Sequence, residues 1–169
     1  MNIKQELPLR IGVGIVLINN ENKVFVGKRI DNPKSSWQMP QGGVDQNENF
    51  FKAAKRELEE ETGIKSVKLI KELDGWFKYD LPKYLLGKLW KGKYRGQKQK
   101  WFVMKFIGET SEINVNTKNP EFLEWKWIKL SKLPNVAVHF KVDIYKKIKR
   151  ELTSLKNIVK FQQLQYDKK

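Results

Sequence analysis

GGVDQNENFFKAAKRELEEETGI, residues 42–64, is the stretch on which the reading of the whole chain turns. Asn49 is a favoured N-cap residue; the helix it opens is expected to run to about Thr62, where Gly63 supplies a left-handed stop. At 100° per residue, Phe51, Ala54 and Leu58 share a narrow arc, which predicts a face turned to a core. Lys52, Lys55 and Glu59 lie about 100° round from it, on a flank expected to meet water. Glu57, Glu60 and Glu61 form a third group on the other flank.

Three carboxylates at i, i+3 and i+4 repel one another. They also sit in the last turns of the helix, where the dipole disfavours anions. A divalent cation relieves both penalties, and Mg²⁺ is a hard ion that prefers carboxylate oxygens and water. For R-E-x-x-E-E alone, the ordinary explanation is a solvated acidic face. The surrounding spacing argues against it. With U apolar, the pattern G-x5-E-x7-R-E-U-x-E-E-x-G-U is filled at every fixed place by Gly42, Glu48, Arg56, Glu57, Leu58, Glu60, Glu61, Gly63 and Ile64. From average residue usage, a chance match in a chain of this length is on the order of one in ten million.

This segment resembles the signature box of the Nudix hydrolases, with no departure inside the box. The resemblance implies a metal carried on the box helix by Glu57, Glu60 and Glu61, with Gly42 beside them, that activates water against a phosphoanhydride. Mg²⁺ is the expected ion, with Mn²⁺ or Zn²⁺ as substitutes. Gly42, Glu48, Arg56 and Gly63 are the structural members of the motif, and Glu48 is the expected partner by which Arg56 locks the loop to the helix.

At 169 residues the chain reads as one domain, long enough to bury a core. No apolar run approaches a membrane span, and MNIKQELPLR lacks the apolar centre of a signal peptide, so a cytoplasmic enzyme is expected. Without cysteine, disulfides and thiolate metal sites are excluded. Thirty-four basic against nineteen acidic residues give +15, a surface that attracts polyanions. Most of that charge is lysine spread along the chain, and solvated side chains account for part of it.

IGVGIVLIN (11–19) and KVFVGKR (23–29) read as strands joined in a hairpin by NNEN. DNPKSS (31–36) is a loop, and WQMPQGG (37–43) leads to the box. SVKLIKELDGWFKYDL (66–81) reads as one or two strands with a break near Asp74-Gly75. Residues 82–98 are basic, aromatic and broken by glycines, an irregular excursion beside the site. KWFVMKFIG (100–108) is a strand. LEWKW (123–127) is another by its alternation, which Ile128 interrupts. Val142, Tyr145, Ile148, Leu152, Leu155 and Val159 recur at helical spacing and predict an amphipathic C-terminal helix. Residues 1–8 and the end from about 160 read as loose tails. Strands on both sides of a central helix, with a second helix closing the chain, predict an α/β fold with a mixed sheet between helices. The resemblance implies the same Nudix α/β/α sandwich.

Four further segments, WQMPQGG (37–43), GQKQKWF (96–102), PEFLEWKW (120–127) and VHFKVDIYKKIKREL (138–152), resemble as an ordered set the bacterial RNA pyrophosphohydrolases and the closely similar dinucleoside polyphosphate hydrolases. That resemblance implies that Glu121 completes the metal site, with Glu124 as the fallback ligand. It implies that Arg29 and Phe140 sandwich a base, two flat and weakly hydrated faces suited to stacking. Burial under the C-terminal helix is the alternative for Phe140. Arg10, Gln41, Tyr79 and Lys141 match positions that contact phosphates or the adjoining nucleotide. Val142 stands where relatives often carry a second basic residue, so any phosphate contact there is lost or moved. His139, the only histidine, reads as structural, since a carboxylate can serve as the base.

The expected reaction is conversion of 5′-triphosphate RNA ends to 5′-monophosphates, with RNA decay as its setting. The alternatives are hydrolysis of diadenosine tetra- and pentaphosphates and, from another class, a non-catalytic RNA-binding module. An RNA chain could lie along the basic excursion from Lys83 to Lys100, with Lys91, Lys93 and Arg95 as its leading contacts.

Overall fold

The structure, a computed structural model, describes residues 7–31 and 36–167, with side chains described as far as Leu155. The expectations for residues 1–6, for the centre of the 31–36 loop, for the Val159 side chain and for the last two residues lie outside that range. Among the described residues, eight strands form one mixed sheet: β1 (Leu9–Ile18), β2 (Lys23–Arg29), β3 (Trp37–Gln38), β4 (Gln41–Gly43), β5 (Val67–Glu72), β6 (Phe77–Asp80), β7 (Gly96–Phe106) and β8 (Phe122–Lys129).

The centre of the sheet is β1 against β7, parallel from Leu9 opposite Gly96 to Ile18 opposite Lys105. All other pairings are antiparallel. β1 is buried on both faces from Gly12 to Leu17, which is why its sequence is an unbroken apolar run rather than an alternation. On one face Val13, Ile15, Leu17, Phe102 and Met104 pack against Ala53, Ala54 and Leu58 of helix α1 (Phe50–Thr62). On the other, Val16, Val26, Trp101 and Val103 pack against Tyr145, Ile148 and Leu152 of the C-terminal helix. A short helix, α2 (Leu133–Val136), precedes that C-terminal helix, α3 (Val142–Asp167). The expected α/β/α Nudix sandwich is the observed one.

Helix α1 has the expected ends. Asn49 Oδ1 accepts from the Lys52 amide at 3.2 Å, and Gly63, at φ 74°, donates to the Glu59 carbonyl at 2.8 Å. Strands β5 and β6 separate at Gly75, which has φ 76°.

Four expectations are corrected. Strands β1 and β2 meet only at the turn, Ile18 opposite Val24, and β2 spends its length against β8. The strand expected from Lys100 begins at Gly96 and takes Gln97, Lys98 and Gln99 out of the excursion. Ile128 does not end its strand; it is buried where the α3 side of the sheet closes over, and β8 continues to Lys129. The helical backbone of α3 continues to Asp167, past the point near 160 where a loose end was expected.

Candidate active site

The box loop is fastened to α1 by one guanidinium. Arg56 donates from Nε to Glu48 Oε2 at 2.8 Å and from Nη2 to Glu48 Oε1 at 2.9 Å and the Gly43 carbonyl at 3.0 Å. Glu48 Oε1 also accepts from the Asp45 amide at 3.0 Å. Arg56 and that amide hold the Glu48 carboxyl down to about 2. From Nη1, Arg56 reaches Glu57 Oε1 at 2.9 Å and Glu60 Oε2 at 3.2 Å. The expected Glu48–Arg56 pair is therefore a bidentate clamp, which rewards Arg over Lys.

The three helix carboxylates differ in environment. Glu60 is exposed; Glu57 is mostly covered; Glu61 is 6% exposed, and its Oε2 has no hydrogen-bond partner. Desolvation, and then the neighbouring charges of Glu57 and Glu121, push the Glu61 carboxyl well above the usual carboxylate range. Burial also raises Glu57, against the opposing pull of Arg56. Gly42 lies directly on the Glu57 carboxylate: a Cβ there would overlap it. The acidic flank of α1 and the segment Thr117 to Glu121 face each other across a cleft of about 630 Å³, so Glu121 joins the helix carboxylates at one opening.

An orphaned, buried carboxylate oxygen beside two further carboxylates has the donor chemistry of a hard-cation site. Glu57, Glu60, Glu61 and Glu121 fit such an ion by type and by shared cleft. Among the described residues, no three acidic groups converge as a finished cage. The reason is visible: Arg56 Nη1 draws Glu57 and Glu60 toward itself, while the second oxygen of Glu61 is left unpaired.

Cations gather nearby. Gln38 Oε1 accepts from Arg29 Nη1 at 3.0 Å and from Lys141 Nζ at 2.7 Å, bringing two positive charges onto one neutral acceptor. The Arg29 fork is held in plane by Asp31, through Nε–Oδ1 at 2.7 Å and Nη2–Oδ2 at 2.5 Å. Lys141 is 4% exposed, and desolvation followed by the Arg29 charge lowers its ammonium to about 7. Half-buried Phe140 packs on Tyr79 with centroids 5.7 Å apart. Arg10 lies over Gly43 and against the Trp90 ring, 5.2 Å from its centroid.

Between pH 7 and the ordinary lysine value, the unfolded chain binds a proton at Lys141 that the folded chain lacks, so stability rises with pH across that window. At pH 7, Lys141→Met is therefore expected to raise the melting temperature of the free protein while weakening phosphate-bearing ligands. Thermal melts with and without a nucleotide check both halves.

Sequence reasoning named Gln41 and Tyr79 but missed Gln97 and Gln99, the polar layer that holds them. Gln99 Nε2 donates to Gln97 Oε1 at 2.6 Å and to Gln41 Oε1 at 3.2 Å, and Gln99 Oε1 accepts from Trp101 Nε1 at 3.0 Å. Tyr79 Oη donates to Gln97 Oε1 at 3.3 Å. The signal was present in GQKQKWF: alternating Gln and Lys on one strand places the amides on one face and the ammoniums on the other. Gln38 and Asp31 were also missed.

Other residues stand apart. Glu124 is exposed on β8 opposite Lys28 and does not line the cleft. His139 is exposed and packs against Phe140 and Tyr84. Arg95 is already paired with Asp80 at 2.6 Å, so of the three leading excursion contacts only Lys91 and Lys93 remain among the described ion pairs as exposed, unengaged charges.

A mixed sheet between helices, with a capped loop and helix presenting carboxylates to a cleft, defines the Nudix fold. The chain belongs to the Nudix family: the NUDIX domain model matches residues 8–150. It is 60% identical over 154 residues to the RNA pyrophosphohydrolase of Pelagibacter ubique (strain HTCC1062), covering 91% of this chain and 98% of that one. It is 47% identical over 150 residues to the RNA pyrophosphohydrolase of Rickettsia canadensis (strain McKiel), covering 89% and 93%. Among solved structures, the E. coli dihydroneopterin triphosphate pyrophosphohydrolase matches with a TM-score of 0.63 at 21% identity, over 77% of this chain and 88% of that one. A C. elegans Ap4A hydrolase binary complex matches at 0.59 and 18% identity, over 85% and 98%. At those identities the two structures speak for the fold. Nudix hydrolases use divalent metal ions in general, and among the described residues no helix is long and apolar enough to cross a membrane.

Proposed function

We propose that this chain is a cytoplasmic, Mg²⁺-dependent RNA 5′-pyrophosphohydrolase that converts 5′-triphosphate ends to 5′-monophosphates. The observation that carries the reading is the pairing of opposites in one site. Glu61 buries an unpaired carboxyl oxygen, while Lys141, whose charge acts on it, has only neutral Gln38 as a hydrogen-bond partner and shares that acceptor with the Asp31-paired Arg29. A metal–phosphate pair satisfies both sides. The names of the Pelagibacter and Rickettsia relatives support RNA as the substrate.

Glu57, Glu60, Glu61 and Glu121 would hold the ion. When bound, it supplies charge neutralisation at phosphate oxygens and a lowered pKa for water. One carboxylate of the set accepts the proton of the attacking water. Lys141, Arg10, Gln41 and Tyr79 orient the phosphates, and Arg29 and Phe140 hold a base between them. Water adds to phosphorus as the anhydride bond breaks, leaving a 5′-monophosphate end and pyrophosphate, or two phosphates in turn.

Phe140→Ala is expected to cost about 1–3 kcal/mol of binding for RNA and dinucleotides and little for inorganic polyphosphate. A sharp fall in melting temperature with unchanged binding per folded molecule would make Phe140 a core residue instead. The function itself is tested by assaying triphosphate-ended RNA and diadenosine tetraphosphate side by side at one free Mg²⁺ concentration, with products identified. Higher kcat/KM on RNA is expected. The reverse preference would make the chain a dinucleoside polyphosphate hydrolase, and turnover of neither would leave an RNA-binding module.

A further inference from the structure

The edge of the sheet at β6 carries a group of side chains that the reaction does not use. Trp76, half-buried, meets Phe50 at the start of α1 edge-on, with centroids 5.8 Å apart and planes at 83°. Lys98 Nζ and Lys100 Nζ lie 4.9 and 4.7 Å from the centre of the Trp76 ring. Lys78 stands directly opposite Lys98 in the β6–β7 ladder. By the alternation of the two strands, these lysines occupy the face opposite Tyr79, Gln97 and Gln99.

Like charges directly opposite across a ladder repel. Among the described residues none of Lys78, Lys98 and Lys100 takes part in an ion pair, and neither Glu72 nor Asp74, just before Trp76 in the chain, offers one. Two ammoniums over one indole, with a third lysine opposite Lys98 in the ladder, therefore suit a ligand with both negative charge and flat apolar faces. Single-stranded RNA has that combination: bases stack on aromatic rings without regard to sequence, while the backbone follows the cations.

The patch is also within reach of the active site. Strand β6 pairs only with β7 and so forms an edge. A cleft of about 340 Å³ is lined by Phe140, Tyr79 and Lys78 together. Asp80 and Asp143 also line it; Asp80 is occupied by Arg95. Lys78 thus links the two places: it lines the cleft with Phe140 and stands opposite Lys98, which lies over Trp76.

We propose that Trp76, Lys78, Lys98 and Lys100 form a second contact for the body of the RNA, beyond its 5′ end. One base would stack on the indole, and the lysines would leave the ring for backbone phosphates. This rests on the RNA reading of the active site and narrows the surface expected from Lys83 to Lys100 to its Lys98–Lys100 end, with Trp76 and Lys78 added.

The test compares wild type with Lys98→Gln/Lys100→Gln and, separately, Trp76→Phe, at fixed free Mg²⁺. The direct measurement is binding of a 5′-hydroxyl single strand of about a dozen nucleotides, which has no anhydride and needs no turnover. The double variant is expected to bind it roughly tenfold more weakly, and losing two phosphate contacts should make its log–log salt dependence shallower by about 1.4. Its kcat/KM on diadenosine tetraphosphate should stay within about twofold, because that substrate ends before the patch. Trp76→Phe keeps a stacking face and should bind nearly as wild type. Unchanged affinity and salt slope in the double variant would overturn the patch. Absence of wild-type turnover on triphosphate RNA would overturn the proposed activity instead, while the binding comparison would still judge the patch.

Discussion

Glu61→Gln is expected to lower turnover by about 10²–10⁴-fold while leaving the fold intact. The amide keeps the shape of the side chain but removes the unpaired anionic oxygen and its repulsion with Glu57 and Glu121. Stability should report the same change. The folded-state pKa of Glu61 is raised, so the metal-free wild type loses stability as pH rises from the ordinary carboxylate range through that higher value. In the Gln variant that slope should flatten. Melting curves across pH in the presence of a chelator check the stability, and a turnover assay at saturating Mg²⁺ checks the chemistry. Near-wild-type turnover would remove Glu61 from the site. Glu57→Gln should behave similarly, and Glu121→Gln should cost less because Glu121 is exposed and the ligand proposed for it comes from outside the helix.

Gly42→Ala is the second large effect. Its Cβ would fall on the Glu57 carboxylate, the free end of a flexible side chain, so Glu57 can swing away at small cost in stability. It cannot do so and remain where Gly42 holds it. A displacement of this size is expected to reduce activity by about 10²-fold. The diagnostic is the contrast: a melting temperature within a few degrees of wild type beside a large loss of kcat. Equal activity would show that the position of Glu57 does not matter; a collapsed fold would show that Gly42 serves β4 rather than the carboxylate.

The box helix was legible because each of its signals is local. Asn49, Gly63 and the Phe51/Ala54/Leu58 arc need only their own turn of helix to be read. The Glu48–Arg56 clamp follows from the same short span. Strand β7 was read four residues short, because Gln97 and Gln99 are polar yet point into the molecule, where Gln41, Tyr79 and Trp101 bond to them and Gln97 Nε2 is left without a partner. No local pattern distinguishes such a strand from a polar loop. Gln38 was missed for a related reason: its partners, Arg29 and Lys141, are distant in sequence. The partner of Arg95 could not be read from the sequence, since Asp80 is brought to it only by the β6–β7 pairing. Fold class was readable from alternation and length; the neighbours of each charge were not.

The account stands on Glu57, Glu61 and Glu121 forming one site for a divalent cation, and titration of Mn²⁺ followed by electron paramagnetic resonance measures that directly. Wild type is expected to bind the ion, with Glu61→Gln weakened at least about tenfold and Gly42→Ala weakened alongside it. Equal Mn²⁺ binding by all three proteins would contradict the account.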